Sequence, residues 1–210
     1  MNYEPQVGRS HYEGSAYRSL ERWSSYWHQL ELVRSVKPSS VLEVGVGEGV
    51  VARQLEFGGM TVTTVDIAAD LKPDVVGSVT ALPFQDASFD LILASEILEH
   101  IEFSDVPKAI SEIVRVSRAH VMISVPHPGW VFSIIYKVPL LPRISLLFQI
   151  PFFWKTHHFN GEHYWELGTK GYSIKRFIGV AEEAGLELIS HTKYADDPAH
   201  RFFLFKKRGI

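Results

Sequence analysis

An α/β fold built on a parallel sheet is what the sequence predicts, on three observations. Short β-branched apolar runs alternate with amphipathic ones between residues 39 and 126; the first run gives way to a glycine turn; the second ends in an acid. Strands alternating with helices pair in parallel and need cover on both faces. In such sheets ligands lie beyond the carboxyl ends of the strands. Residues just after a strand therefore outrank those within one as candidates for function.

Each element follows in order. From about residue 15 to 36, Tyr17, Leu20, Trp23, Trp27, Leu30 and Val33 recur at spacings of three or four, which predicts a helix with one apolar stripe, ended by Lys37 and Pro38. "SVLEV" reads as a buried strand and "EGVVARQLEF" as a helix closed by Gly58 and Gly59. "TVTTVDI", "PDVVGSV" and "FDLILASEI" are the next strands. A helix follows to Ser117, with Ser104 as its expected N-cap and Pro107 in its first turn. "HVMISVP" is a fifth strand stopped by Pro126. After an insertion over about 127–170 the chain resumes with "SIKRFIGVAEEAG", capped by Ser173, and ends in "LELISHTKY" and "HRFFLFKK". The turn "ADDPA" joins these two runs into an expected antiparallel hairpin at the sheet edge.

The 210 residues, 46% of them apolar, suffice for one domain over 1–210. A net charge of -3 argues against a nucleic-acid partner, which calls for a basic face. The absence of cysteine excludes disulfides, thiolate metal sites and cysteine nucleophiles. The polar start "MNYEPQVGRSHYEG" has no secretory pattern, and a cytoplasmic protein is expected. "WVFSIIYKVPLLPRISLLFQIPFFW", Trp130 to Trp154, is the most apolar stretch, yet Lys137, Arg143, Pro139, Pro142 and Pro151 interrupt it, so it does not read as a transmembrane segment. The expectation is an apolar helical cap. It would pack on the domain, meet a second copy in a homo-oligomer, or form a greasy lid touching a membrane surface.

The glycine turn "EVGVGEGV" places Gly45, Gly47 and Gly49 at alternate positions, with Val50 where a dinucleotide fingerprint wants its third glycine. Charge discriminates further. Glu43, two residues before the first glycine, would repel a pyrophosphate. The same carboxylate suits S-adenosylmethionine (SAM), which offers an ammonium and a sulfonium and no phosphate. Asp66, about twenty residues on, is placed to accept from ribose hydroxyls.

With these residues in place, "VLEVGVGEG", "VTTVDI" and "ALPFQDASFDLILASEILEHI" together resemble class I SAM-dependent methyltransferases of the UbiE-like, methyltransferase type 11 kind, over Val41 to Val125. The resemblance implies a Rossmann-like, doubly wound seven-stranded sheet with its last strand antiparallel. It implies that Glu43, Gly45 and Gly47 meet the methionine portion and that Asp66 and Ile67 meet the ribose and adenine edge. Ser78 stands where the family often has Asp, followed by Val79, and can still hydrogen-bond the adenine amino group. Ser95, Glu96 and Ile97 are expected to face the sulfonium. Tyr17 and Arg18 are expected to close over the methionine carboxylate.

For the acceptor side, His127 directly follows the fifth strand in "VPHPG", and a site role stands beside a plain loop role. His100, one helical turn after Glu96, is read as a packing or supporting residue. "KTHHFNGEHYWELGTKGY" gathers His157, His158, His163, Glu162 and Glu166. The adjacent histidines point apart, so no metal site is expected. Instead His163, Tyr164 or Trp165 would cross the pocket mouth, or the two aromatics would pack beneath it. Methyl transfer is an in-line displacement whose main demand is alignment, and a base such as His127 or His163 serves only an acceptor that arrives protonated. The expected activity is methyl transfer from SAM to a small, lipophilic or aromatic acceptor, releasing S-adenosylhomocysteine (SAH). The competing expectation is a non-catalytic SAM-fold protein that binds a partner through its apolar insertion.

Overall fold

The computed structural model describes residues 3–12, 14, 17, 19–141 and 144–209. Its parallel strands are β1 (Ser40–Val44), β2 (Thr61–Asp66), β3 (Val75–Val76), β4 (Phe89–Ser95) and β5 (Ser117–Pro126). The final hairpin supplies β8 (Leu186–Tyr194) and β9 (Asp197–Lys207). The seven form one sheet in the order β3-β2-β1-β4-β5-β9-β8, with β9 antiparallel to both of its neighbours. The expected sheet and its antiparallel last strand are both found.

Period-two alternation divides the strand residues between two apolar layers. Leu42, Ile92 and Ile123 face one layer with Ile110, Ile113, Trp165 and Phe177. Val41, Leu91, Leu93 and Met122 face the other with Leu30, Val33 and Leu55. The covering helices are α2 (Leu20–Ser35), α3 (Val50–Phe57), α4 (Val106–Val116) and α5 (Ile174–Glu183), after a single N-terminal turn α1 (Arg9–Tyr12). Ser173 Oγ accepts from Arg176 N (3.2 Å), so α5 is capped as the sequence indicates.

Three expectations need correction. First, α2 starts at Leu20 behind a Ser19 cap and does not bury the expected stripe. Leu30 and Val33 are buried, but Leu20, Trp23 and Trp27 are exposed. Its inward face instead carries Ser25, Gln29 and the half-buried Tyr26. His28 fixes that rotation: it stacks on Tyr194 with ring centroids 3.4 Å apart and bonds Asp196 at 2.8 Å. Second, Asp105 rather than Ser104 stands at the N-cap of α4, and its side chain makes no capping bond because it accepts from Tyr3.

Third, the insertion is not a helical cap. Residues Gly129–Tyr136 (β6) and Ile144–Pro151 (β7) pair as a separate antiparallel ribbon, and no helix occurs among the described residues from 127 to 170. Its β-branched and aromatic content favours extended backbone. Proline confines any helix there to short pieces, and Pro151 closes β7 where no further ladder donor is needed. The ribbon lies off the main sheet, so Trp130, Phe132 and Phe148 on it are all exposed. Among the described residues no helix is long and apolar enough to cross a membrane.

Candidate active site

The glycine turn leaves β1 at Val44 and is closed by two backbone contacts. Gly45 N donates to Val65 O (2.8 Å), and Val46 N donates to Asp66 Oδ2 (2.8 Å). Gly45 has φ +85°, and a Cβ there would collide with the Ile97 side chain. Glycine is thus required both by conformation and by close approach. Asp66 Oδ1 also accepts from Ala68 N (2.8 Å), which leaves further lone pairs of this carboxylate for a ligand.

Glu43 is 5% exposed, and its Oε2 has no hydrogen-bond partner. Burial raises its carboxyl to about 8, and the Ala52 backbone N–H offsets only part of that effect. A buried carboxyl with one oxygen unpartnered has room for a hydrogen-bonding cation.

Glu96, just beyond β4, has φ +55°, a left-handed conformation that is strained for a non-glycine residue. Its backbone N–H donates to Ser124 O (3.0 Å), and Ser124 Oγ donates to its Oε1 (2.7 Å). These two hydrogen bonds hold the carboxylate in place against the strain, between the two halves of the site.

Two adjoining cavities meet at Gly45, Asp66, Glu96 and Ile97. One also takes in Ile67, Ser78, Val79 and His100. The other takes in Glu43, Gly47, Ser95 and Tyr17. Every residue the sequence assigned to the cofactor thus lines one of the two, apart from Arg18, which lies outside the described residues. A strap formed by residues 3–12, unmarked in the sequence, crosses the first cavity. Tyr3 Oη donates to Asp105 Oδ2 (2.5 Å), Gln6 Nε2 donates to His100 O (3.1 Å), and Arg9 N donates to Asp70 Oδ2 (2.9 Å). These residues have no helical or strand period, so no pattern marked them.

A third cavity opens beside Glu96 and is lined by Tyr17, Arg22, His100, His163, Glu166 and His200, among others. His163 Nδ1 lies 3.1 Å from Glu166 Oε1. His200 Nδ1 lies 2.7 Å from Asp197 Oδ1, and its Nε2 lies 3.4 Å from Glu96 Oε2. Burial alone would lower the His200 pKa, but the Glu96 and Asp197 carboxylates raise it above the ordinary value. Sequence reading missed His200, although a signal existed: β9 runs antiparallel, so its beginning lies at the ligand-binding edge, opposite Pro126.

His127 does not reach any of these cavities. Its ring is buried against Gly168, Nδ1 accepts from Arg201 Nε (3.1 Å), and desolvation with Lys193 and Arg201 lowers it to about 3. A group so weakly basic takes no proton at neutral pH, and the structure corrects its candidacy to a packing role. Trp165 is likewise structural, fully buried with Nε1 donating to Leu98 O (3.1 Å). His157 is half-buried with Nε2 3.0 Å from His163 O, while His158 is exposed, so the adjacent pair does point apart.

Comparison with known proteins bears on the fold and on the stretch from β1 to β5. The profile of a family described as "Methyltransferase domain" matches residues 42–124, from β1 through β5. Norajmaline N-methyltransferase of Rauvolfia serpentina is 33% identical over 100 residues, 40% of this chain and 34% of that protein. Demethylmenaquinone methyltransferase of Renibacterium salmoninarum is 30% identical over 104 residues, 44% of this chain and 43% of that protein. The matches thus span well under half the length of either relative. The solved structure of Burkholderia thailandensis 1,6-didemethyltoxoflavin-N1-methyltransferase, with bound 1,6-didemethyltoxoflavin and S-adenosylhomocysteine, superposes with a TM-score of 0.61 at 16% identity. That superposition covers 95% of this chain and 86% of the other. Residues 42–124 thus resemble a methyltransferase domain, and the chain shares its overall fold with that solved methyltransferase.

Proposed function

We propose that the protein binds SAM across the two cofactor cavities and transfers its methyl group to a small acceptor in the third. The observation that carries this reading is Glu43, a buried carboxylate with an unpartnered oxygen beneath the glycine turn. A ligand ammonium satisfies it, whereas a pyrophosphate there would be repelled. In this reading Asp66 holds the ribose, Ile67, Ser78 and Val79 line the adenine, and Ser95, Glu96 and Ile97 face the sulfonium.

The acceptor enters from the side of Tyr17, His163 and His200. The reacting atom needs to lie in line with the methyl–sulfur bond, and a rigid wall built on β4, β5 and β9 supplies that alignment. The wall is polar, so the reacting group is a hydrogen-bonding one, and any lipophilic or aromatic part of the acceptor extends toward the β6–β7 ribbon. Where the acceptor carries a proton, the pairs His163–Glu166 and His200–Asp197 are placed to handle it.

Calorimetric titration of the purified protein with SAH, and with NAD as the control, tests the proposal. Saturable binding of SAH alone is expected. Folded protein that binds NAD, or leaves SAH unbound, overturns it. Failure with both ligands favours the rival reading, in which the exposed apolar ribbon is a partner-binding surface on a non-catalytic SAM fold.

A further inference from the structure

Glu99 is a second buried carboxylate beside the site. It is fully buried, and neither carboxylate oxygen has a hydrogen-bond partner. A buried carboxylate in such surroundings is either kept protonated or paired with a cation. Two imidazoles stand beside it. One ligand-capable atom from each of Glu99, His100 and His163 lies within 4.8 Å of the other two.

The hydrogen bonds around the two histidines decide which nitrogens are free. His100 Nδ1 lies 2.7 Å from Gln6 Oε1 and 3.0 Å from the Glu162 carbonyl. A carbonyl only accepts, so Nδ1 carries the hydrogen and the Nε2 lone pair is left over. His163 Nδ1 faces the Glu166 carboxylate, with the same result. Metal-binding histidines are held in this way, with one nitrogen donating to an oxygen and the other turned to the ion. The backbone completes the arrangement: Tyr164 N donates to Glu99 O (2.8 Å) and Trp165 Nε1 to Leu98 O (3.1 Å), which clamps the His163 loop onto the turn Leu98–His100.

The geometry points to a divalent transition-metal site formed by Glu99, His100 and His163 in the wall of the acceptor cavity, its open positions turned to an oxygen of the acceptor. Two nitrogens and one carboxylate suit Zn²⁺, Fe²⁺ or Co²⁺ better than Mg²⁺ or Ca²⁺, which prefer all-oxygen shells. Ligands about 2.1 Å from a common ion are at most about 4.2 Å apart, so the triad closes slightly on loading. The loop position of His163 allows that movement. The inference rests on the methyltransferase reading only for the role of the ion. A hydroxylated acceptor bound there loses its proton to water more readily. Its oxygen then bonds the methyl carbon as the carbon–sulfur bond breaks, with that electron pair staying on sulfur in SAH. His163 becomes a ligand rather than a base.

The test uses the full chain, freed of metal with a chelator and titrated with Co²⁺ alone. Visible absorption follows the ion, and SAH titration runs in parallel. One Co²⁺ per chain is expected, with ligand-field bands that disappear in Glu99→Gln and His163→Ala. Glu166→Gln, which alters the carboxylate that His163 Nδ1 and His157 Nδ1 both face, is expected to weaken Co²⁺ binding by about 10–100-fold. Retained SAH binding by the variants shows that they are folded and that the cofactor cavities are intact. Absence of Co²⁺ binding by a wild-type chain that binds SAH overturns the metal site, as do unchanged bands in both ligand variants. Failure of SAH binding alone counts against the cofactor reading and leaves the Co²⁺ result standing.

Discussion

Glu43 allows the cofactor proposal to be tested by counting protons. Burial lifts its carboxyl to about 8, so at pH 7 about nine-tenths of the free protein carries a proton there. An ammonium brought to within a few ångströms favours the carboxylate and drives that proton off. SAH binding at pH 7 should therefore release up to about 0.9 proton per chain, falling as the pH is raised through the carboxyl's own range. Calorimetric titrations in buffers of different ionisation enthalpy measure this number, because the observed enthalpy changes with the buffer in proportion to the protons released. Adenosine, which has no ammonium, should release none, and Glu43→Gln should abolish the release with SAH. Saturable SAH binding at pH 7 with no buffer dependence would refute the reasoning, since the ligand's ammonium would then not be paired with Glu43.

Two further outcomes follow from the same structure. The folded-state pKa of Glu43 is raised, so its contribution to stability is intact below about pH 4.5 and is lost as the pH rises through about 8. Urea unfolding should show Glu43→Gln gaining roughly 3–5 kcal/mol on the wild type between pH 5 and pH 9, and a difference that does not change with pH removes the basis for it. Gly168 has φ +80°, and a Cβ there would lie 2.5 Å from the His127 ring and 3.0 Å from Pro151 Cβ. Gly168→Ala should destabilise by roughly 2–4 kcal/mol, from overpacking and left-handed strain together. Thermal melting measures this, and SAH binding below the melting range should survive because the residue lies outside the cavities; an unchanged Tm contradicts the packing role given to His127.

What the sequence made legible was local. The order of strands and helices, the glycine turn and the acids Glu43 and Asp66 all depend on patterns a few residues long, and a parallel sheet buried on both faces repeats such patterns at each strand. The face of α2 was harder to read, because Trp23 and Trp27 have helical spacing while a stacked His28–Tyr194 pair sets the rotation of the helix. The insertion misled for a related reason. Apolar residues on both sides of a free ribbon erase the alternation that marks a strand, and only its prolines and β-branched residues spoke against helix. On the acceptor side, Gln6, His100, His163 and His200 come from four distant segments. His100 and His163 stand out in the sequence while Gln6 and His200 do not, and the site exists only through their meeting.

The strap ties the two chambers together. Val7 and Tyr12 line both the first cofactor cavity and the acceptor cavity. Tyr3, Gln6 and Arg9 anchor the segment to Asp105, His100 and Asp70. Under the proposed function, cofactor and acceptor therefore share two side chains, and occupancy of one chamber is expected to change affinity in the other by the same factor in both directions.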